Sequence, residues 1–146
     1  MARRNASVSW EGGLDDGKGR TSLDSSGVAS FYVSFPSRLA DSPQQGQTDP
    51  EELVAAAHAT CFTMNLSGAL NAADLTVQSL QTKAQVTLGK NDSGLAITGI
   101  ALSVVGQVEG VDQDRFAEIA AEAERTCPVS KALTGTEITL DARLDG

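Results

Sequence analysis

The fold is decided by residues 49–62, DPEELVAAAHATCF, which open the longest apolar segment of the chain. Asp49 can cap a helix, Pro50 suits its first position, and two acidic residues follow at the positive end of the helix dipole. The apolar pattern continues to about Asn71, which predicts a helix about 33 Å long. Apolar side chains ring most of this helix, so we expect it to be buried on several sides. A chain of 146 residues has little material to surround such a helix, which hints at a partner subunit.

Alternating and apolar segments on either side of this helix predict the remaining elements. Before it we predict three strands and a polar loop: Ser7–Trp10, Arg20–Leu23, Val28–Phe35 and the loop Arg38–Thr48. After it we predict two strands, a second helix and a last strand: Lys83–Leu88, Leu95–Val104, a helix that starts at Asp112 or Asp114, and Ile138–Leu144. The apolar phase switches at Gly99, which predicts a β-bulge there. This order indicates one α+β domain over residues 1–146 with mostly antiparallel pairing.

Composition narrows the class of protein. Nineteen acidic residues face eleven Lys and Arg, a net charge of −8. Such a chain repels phosphate backbones and anionic lipid, so we expect neither nucleic-acid nor membrane-surface binding. The N-terminal sequence has no apolar core typical of a secretory signal, so we expect a cytoplasmic protein. Polar residues inside the long helix, His58 and Asn65 among them, favour a buried helix over a membrane span.

Two lone cysteines carry the first hypothesis about chemistry. Cys61 lies in the long helix and Cys127 at a helix break, TCPVS, 66 residues further on. In a reducing compartment such a pair is rarely a structural disulfide. Pro128 suits the first position of a short helix over residues 129–133, which makes Cys127 its N-cap. If the fold brings the two thiols together, they form a dithiol that can cycle, so we predict thiol redox chemistry.

A reactive cysteine must ionise, and the candidates for its activation are few. Cys61 lies too far into its helix for the dipole to act on it, so a cation is needed. His58 is one turn away, and Arg38 and Arg20 lie in the preceding segments. Glu51 is too far along the helix to touch Cys61, but it could orient an arginine.

Other interpretations stay open at this level. Both cysteines could be inert core residues, because free cysteine is among the most buried residue types. Cys61, His58 and Glu51 could serve a cysteine hydrolase, although a cysteine in mid-helix lacks the backbone N–H groups of an oxyanion hole. The chain could also be a non-catalytic dimeric protein that binds a small apolar ligand. Two Cys and one His without CxxC or HxxxH spacing predict no zinc site.

The motifs around both cysteines resemble the OsmC/Ohr family of thiol peroxidases. The matching segments are DPEEL and AAHATCF in residues 49–62 and CPVS from Cys127, joined by WEG at residues 10–12, AITGIAL at residues 96–102 and ITLD at residues 138–141. Together they span nearly the whole chain. The His58 and Val129 motifs look more like the osmotically inducible OsmC branch than the organic hydroperoxide resistance branch. The resemblance implies an intertwined homodimer with active sites at the subunit interface.

The resemblance also implies roles for individual residues. Cys61 matches the peroxidatic cysteine, Cys127 the resolving cysteine, and Glu51 the glutamate that holds the catalytic arginine. For that arginine we predict Arg38, with Arg20 as the alternative. Cys61 would reduce an organic hydroperoxide, and hydrogen peroxide more weakly, through a sulfenic acid and a Cys61–Cys127 disulfide.

The implied chemistry needs neither metal nor flavin. Its expected partners are the hydroperoxide substrate and a reductant, either a small dithiol or a dithiol protein such as a lipoylated one. We further expect Phe62, Phe31 and Tyr32 to favour organic peroxides by surrounding the site with apolar side chains. A protein of this kind would protect against oxidative and osmotic stress.

Overall fold

The computed structural model describes residues 1–145, and the chain forms two compact units. The N-terminal unit comprises residues 1–53 and the C-terminal unit begins at Val54. The architecture is α+β with two sheets and a long helix, as predicted. That residues 1–146 act as a single domain stays a prediction.

The N-terminal unit holds a four-stranded sheet in the order β1-β2-β3-β4. Its strands are β1 (Ser7–Glu11), β2 (Lys18–Ser22), β3 (Ser30–Val33) and β4 (Gln47–Thr48). The first three pair antiparallel, as predicted, whereas β4 lies parallel to β3. The sheet therefore places the end of β3 beside the residues that lead into the long helix.

The prediction was wrong about the segment after β3. The third strand ends at Val33, and a short helix, α1 (Phe35–Leu39), occupies the end of the predicted strand and the start of the predicted loop. Ser34 caps α1, because its hydroxyl accepts a hydrogen bond from the Ser37 N–H, and a proline lies in the first turn. Arg38 is thus held on a helix, not in a loop.

The long helix, α2, spans Pro50–Ala72, within a residue of its predicted end. Asp49 caps it as predicted, since its Oδ1 accepts from the Glu52 N–H at 2.8 Å. Within this chain the helix buries one stripe at intervals of four residues: His58, Phe62, Leu66 and Leu70. The opposite side is exposed, with Met64 at 70%. Burial on several sides is therefore wrong for the single chain.

By length and composition α2 could cross a membrane, but the core helix of a water-soluble fold passes the same test. Here the buried stripe of α2 belongs to a packed core. Phe62, Leu66 and Leu70 lie in one hydrophobic cluster with residues from the second sheet and from a later helix. Burying such a stripe is the main stabilisation of an amphipathic helix in a folded protein.

The C-terminal unit contains a three-stranded sheet in the order β5-β6-β7. β5 (Thr76–Asn91) and β6 (Gly94–Glu109) form a long antiparallel hairpin, and β7 (Glu137–Leu144) pairs with β6 in parallel. The hairpin strands extend well beyond the predicted ones. The predicted bulge is present: Thr87 pairs with Gly99 and Leu88 with Ile97, so Thr98 is the extra residue.

Two consecutive helices pack in this unit. α3 (Gln113–Thr126) starts with Asp112 as its N-cap, and α4 (Pro128–Ala132) follows after one residue, Cys127. The α3 ring of Phe116 covers Gly106 on β6 so closely that a Cβ there would come within 2.6 Å of its Cζ. Glycine at position 106 therefore lets α3 approach the sheet.

Candidate active site

The C-terminal unit brings the two cysteines together. Cys61 lies half-buried on α2, and Cys127 is fully buried between α3 and α4, where it ends one helix and caps the next. Both thiols are free, and each lies close enough to the other to perturb its ionisation. The prediction that Cys127 is the N-cap before Pro128 is confirmed. The fold thus creates a dithiol from residues 66 positions apart.

Cys127 is surrounded by groups that favour its thiolate. Burial opposes ionisation, but the Ser130 N–H, the Cys61 thiol, the Ser130 hydroxyl and the Val129 N–H outweigh it, so the pKa of Cys127 is lowered. The sulfur makes no close capping hydrogen bond of the kind a serine hydroxyl makes.

Cys61 has the opposite environment within this unit. Burial raises its pKa, and only the Val129 N–H acts against that effect. The neighbouring Cys127 raises the pKa further, because two adjacent thiolates repel each other. Ionisation of Cys61 requires a positive group from elsewhere.

His58 is fully buried one turn before Cys61, but its partner is neither cysteine. Its Nε2 lies 2.7 Å from the Ser130 Oγ, and its buried Nδ1 has no hydrogen-bond partner within residues 1–145. Burial lowers the pKa of His58, and the carboxylate of Glu124 opposes this only in part. His58 is thus a neutral imidazole that contacts the α4 serine.

This arrangement weakens the hydrolase interpretation. A cysteine hydrolase needs a hydrogen bond between its nucleophile and its base, and His58 has none to Cys61. Glu51, the third residue of that hypothesis, belongs to the N-terminal unit and binds an arginine there.

In the N-terminal unit, Arg38 and Glu51 form a two-pronged ion pair. Arg38 Nη2 donates to Glu51 Oε1 at 2.7 Å, and Nε lies 3.1 Å from Oε2. The Arg38 side chain is 31% exposed and the Glu51 side chain 9%. The hydrogen bond from Glu51 raises the pKa of Arg38 above its already high value. The pair therefore holds a permanent cation at a fixed orientation, and the Arg38 side chain stays partly exposed.

Arg20, the alternative arginine, has a different setting. It is held on the surface of the sheet by the Ser30 hydroxyl at 2.7 Å and the Tyr32 hydroxyl at 3.1 Å, with its guanidinium 5.0 Å from the Tyr32 ring centre. No carboxylate orients it among the described residues. The geometry therefore favours Arg38 as the oriented cation.

An apolar pocket of about 320 Å³ lies beside Arg38 within the N-terminal unit. Its lining residues come from β1, β3, α1 and the start of α2: Trp10, Leu14, Val33, Ser34, Phe35, Arg38, Asp49 and Pro50. That Phe62, Phe31 and Tyr32 surround the site with apolar side chains stays a prediction. Phe62 is fully buried in the core of the C-terminal unit, and neither Phe31 nor Tyr32 lines this pocket.

The sequence analysis did not single out two residues that lie at the candidate site or its pocket, Ser130 and Trp10. Ser130 appeared only as the last residue of the CPVS segment, yet its hydroxyl contacts the buried His58. Its position three residues after a capping cysteine was the available signal. Trp10 was used only as part of a short motif, although it lines the pocket beside Arg38. Nothing in the sequence alone places an early strand there.

Fold and site together define an α+β protein with a free dithiol beside its core helix and an oriented arginine. Comparisons with known proteins identify the family. The family described as OsmC-like protein matches residues 43–142. The chain is 44% identical over 135 residues to "Peroxiredoxin OsmC" of Escherichia coli, covering 92% of each chain. This chain belongs to the OsmC-like family.

One more sequence relative and one solved structure support the same family. The chain is 30% identical over 147 residues to "Organic hydroperoxide resistance protein OhrB" of Bacillus subtilis, covering 99% of this chain and 98% of that one. The fold matches the crystal structure of an organic hydroperoxide resistance protein from Elizabethkingia anophelis. That match has a TM-score of 0.78 at 23% identity and covers 99% and 98% of the two chains. The identity is higher toward the OsmC relative than toward the Ohr relative.

Proposed function

We propose that this protein is a thiol-dependent peroxidase that reduces organic hydroperoxides. The observation that carries the proposal is the free dithiol, in which the buried Cys127 lies beside the half-buried Cys61. The names of the relatives, a peroxiredoxin and organic hydroperoxide resistance proteins, support the same activity. The chain covers 92% of the length of the peroxiredoxin relative and 98% of the length of the OhrB relative, so the proposal concerns the same span as in those proteins.

The proposed reaction has two covalent steps on the protein. The Cys61 thiolate attacks the distal peroxide oxygen, the O–O bond breaks, and the alcohol leaves after gaining a proton, which makes Cys61 a sulfenic acid. The Cys127 thiolate then attacks the Cys61 sulfur. An S–S bond forms, the S–O bond breaks, and hydroxide leaves to become water. A dithiol reductant restores both thiols by exchange and becomes a disulfide itself.

Arg38 is the proposed activator of Cys61. The surroundings of Cys61 in its own unit raise its pKa, so the first step needs a cation. The resemblance assigns this role to the arginine that Glu51 orients, and the two hydrogen bonds from Arg38 to Glu51 support Arg38 in that role. Arg38 would stabilise the thiolate and polarise the peroxide in the active assembly.

The apolar pocket supports a preference for organic substrates. A hydroperoxide with an aromatic or alkyl group gains free energy when that group leaves water, and hydrogen peroxide has no such group. A pocket of about 320 Å³ lies at the small end of the range of ligand sites, which suits a substrate the size of cumene hydroperoxide.

We further propose a cytosolic homodimer reduced by a small dithiol or a dithiol protein such as a lipoylated one. The exposed side of α2 supports the dimer, because Met64 and small residues leave that side apolar in the single chain. A cytosolic location suits a reversible disulfide, which a reducing compartment can turn over. Light scattering after size-exclusion chromatography tests the dimer, and a mass near 15.1 kDa would contradict it.

The decisive experiment for the activity is intact-protein mass after one equivalent of cumene hydroperoxide. We expect the loss of two hydrogens and, in peptide maps, an intrachain link between Cys61 and Cys127. Addition of dithiothreitol should restore the original mass. An unchanged mass, or links only between chains, would reject the proposed cycle. Because Met64 is exposed, peptide maps must separate methionine sulfoxide from cysteine oxidation.

Esterase activity separates the peroxidase from the hydrolase hypothesis. We expect the wild type not to hydrolyse a nitrophenyl ester and His58→Ala to retain at least about a tenth of the peroxidase rate, because His58 has no role as a base in the first step. Loss of a true general base costs about 10²–10⁴ in rate. Efficient ester hydrolysis that disappears in His58→Ala would support the hydrolase.

A further inference from the structure

The indole of Trp10 is a wall of the apolar pocket that has no role in the proposed reaction so far. Trp10 lies on β1, pairs across the sheet with Gly19 of β2, and is 40% exposed. Its ring lines the pocket beside Arg38. Tryptophan offers the largest flat apolar surface of any side chain, so the way in which this ring is held decides which molecules the pocket accepts.

Two glycines support one face of the ring. A Cβ at Gly17 would come within 2.7 Å of Trp10 Cζ2, and a Cβ at Gly19 within 2.6 Å of Trp10 Cε3. Cζ2 and Cε3 are opposite corners of the six-membered ring, so the ring lies flat across both glycines. Both glycines are buried. One face of the indole therefore covers the backbone, and the other face is the one that lines the pocket.

The N–H of the ring is fixed as well. Trp10 Nε1 donates a hydrogen bond to the Gly12 carbonyl at 3.0 Å. Gly12 has a φ of +95°, which glycine adopts without strain, and the Gly17 N–H closes the turn by donating to the Gly13 carbonyl at 2.9 Å. The indole is thus oriented before any ligand arrives, so binding to it costs little conformational entropy.

The same face of the sheet carries a second wall of the pocket. Gly19 pairs with Trp10 on one side and with Val33 of β3 on the other, so the centre of this row has no side chain. Trp10, Val33 and Arg38 all line the pocket. A substrate whose peroxide group lies at Arg38 would therefore place its organic group against the free face of the indole.

We propose that Trp10 is a specificity-determining residue, which selects hydroperoxides with a flat aromatic group over saturated ones of the same size. This inference rests on the proposed peroxidase function and names the substrate class of its pocket. An aromatic group that stacks on the indole is stabilised beyond the area that it buries, whereas a puckered saturated ring touches a flat surface at fewer points. Trp10 itself takes no part in bond making or breaking.

The first test compares two substrates that differ mainly in the flatness of one ring. Cumene hydroperoxide and its saturated analogue, in which cyclohexyl replaces phenyl, share the tertiary peroxide group and have nearly the same size. We expect the wild type to favour cumene hydroperoxide, measured as the ratio of the two kcat/KM values. Trp10→Leu should lower this ratio about three-fold to ten-fold, and Trp10→Phe, which keeps an aromatic face, should stay within about two-fold of the wild type.

Two further variants test whether the effect belongs to the oriented ring. Val8 is exposed on β1 two residues before Trp10 and lies outside the pocket, so Val8→Ala should leave the ratio unchanged. Gly19→Ala keeps the indole but places a methyl group under it, so it should lower the ratio as Trp10→Leu does. Because both rates come from the same folded fraction, a loss of folded protein cancels in the ratio. An unchanged ratio in Trp10→Leu, or an equal fall in Trp10→Phe or Val8→Ala, would overturn the proposal.

The second test needs no peroxide chemistry. Trp10 is the only tryptophan of the chain, so tryptophan fluorescence reports on this ring alone. After correction for collisional quenching with free tryptophan amide, we expect the product alcohol of cumene hydroperoxide to change the emission and to saturate at a concentration about three-fold or more below that of the cyclohexyl alcohol. Equal or weaker binding of the aromatic alcohol would overturn the inference. If neither hydroperoxide is consumed, the peroxidase function itself fails, whereas this titration still decides the role of Trp10.

Discussion

The N-terminal unit holds an ion pair and the C-terminal unit holds a pair of thiols, and the two pairs form in different ways. Arg38 and Glu51 are 13 residues apart, each placed by a capped helix start. Cys61 and Cys127 are joined only when two helices pack on the second sheet. The arginine is charged at every physiological pH, whereas the cysteines differ in pKa because their surroundings differ.

The comparison separates two tasks of the proposed reaction. A fixed cation can stabilise a thiolate, but it cannot exchange electrons with a peroxide. A dithiol can take up and release two electrons, but the surroundings of Cys61 oppose its ionisation. Each unit therefore carries what the other lacks, and variants of one unit should affect different steps from variants of the other.

The largest effect is expected from breaking the dithiol. Cys61→Ser should abolish peroxide consumption, because the attacking sulfur is lost. Cys127→Ser should still allow one oxidation of Cys61, trapped as a sulfenic acid that over-oxidises with excess peroxide. Steady-state consumption of cumene hydroperoxide and intact mass distinguish the two variants. Normal turnover of Cys127→Ser with dithiothreitol would remove the resolving role.

Removal of the cation should have the next largest effect. Arg38→Ala should slow the reaction of Cys61 with peroxide about 100-fold at neutral pH, because a preorganised charge that stabilises the reacting state is lost. Glu51→Gln, which frees the guanidinium, should cost about ten-fold in the same stopped-flow measurement. Arg20→Ala is the matched control and should stay within about two-fold. A large loss in Arg20→Ala with none in Arg38→Ala would move the role to Arg20.

The pH dependence of the free energy of unfolding should also differ between the two units. His58 of the C-terminal unit can change its protonation in the physiological range, whereas Arg38 of the N-terminal unit stays charged. Burial lowers the pKa of folded His58, so below about pH 6.5 the unfolded chain binds a proton that the folded chain does not. Stability contributed by His58 is therefore lost as the pH falls. The free energy of unfolding should decrease by up to about 1.4 kcal/mol per pH unit relative to His58→Gln. Urea titrations at several pH values test this, and parallel pH profiles would contradict it.

The smallest effect is expected in the apolar pocket. Val33 lines the pocket, and Val33→Ser replaces its apolar side chain with a smaller polar one. The preference for cumene hydroperoxide over hydrogen peroxide, taken as a ratio of kcat/KM values, should fall about three-fold to ten-fold. Val8, an exposed residue of β1 outside the pocket, provides the control Val8→Ser. An unchanged ratio would place the substrate elsewhere.

Local rules predicted those parts of the molecule that depend on neighbouring residues. The cap at Asp49, the cap at Cys127 and the bulge beside Gly99 all follow from short patterns. The sequence analysis missed the helix α1. The β-branched and aromatic residues up to Phe35 favoured a strand, although Ser34 followed by Pro36 is also a helix start.

Contacts between distant segments were beyond such rules. His58 and Ser130 are 72 residues apart, and only the packing of α4 against α2 makes them partners. The resemblance to a family supplied the pairing of Cys61 with Cys127, but it gave no reason for the buried histidine. The difference between the two thiol pKa values also needed the structure, because it depends on which N–H groups point at which sulfur.

The bare Cα of Gly106 has a consequence for how this protein can evolve. It lets the Phe116 ring rest on the sheet, and Phe116 anchors the helix that ends at Cys127. A methyl group at position 106 would come within 2.6 Å of the ring, so either the ring or the helix that carries it must shift. A library selected only for growth under peroxide should therefore reject most residues at this buried sheet position, although it is neither a cysteine nor an arginine of the proposed site.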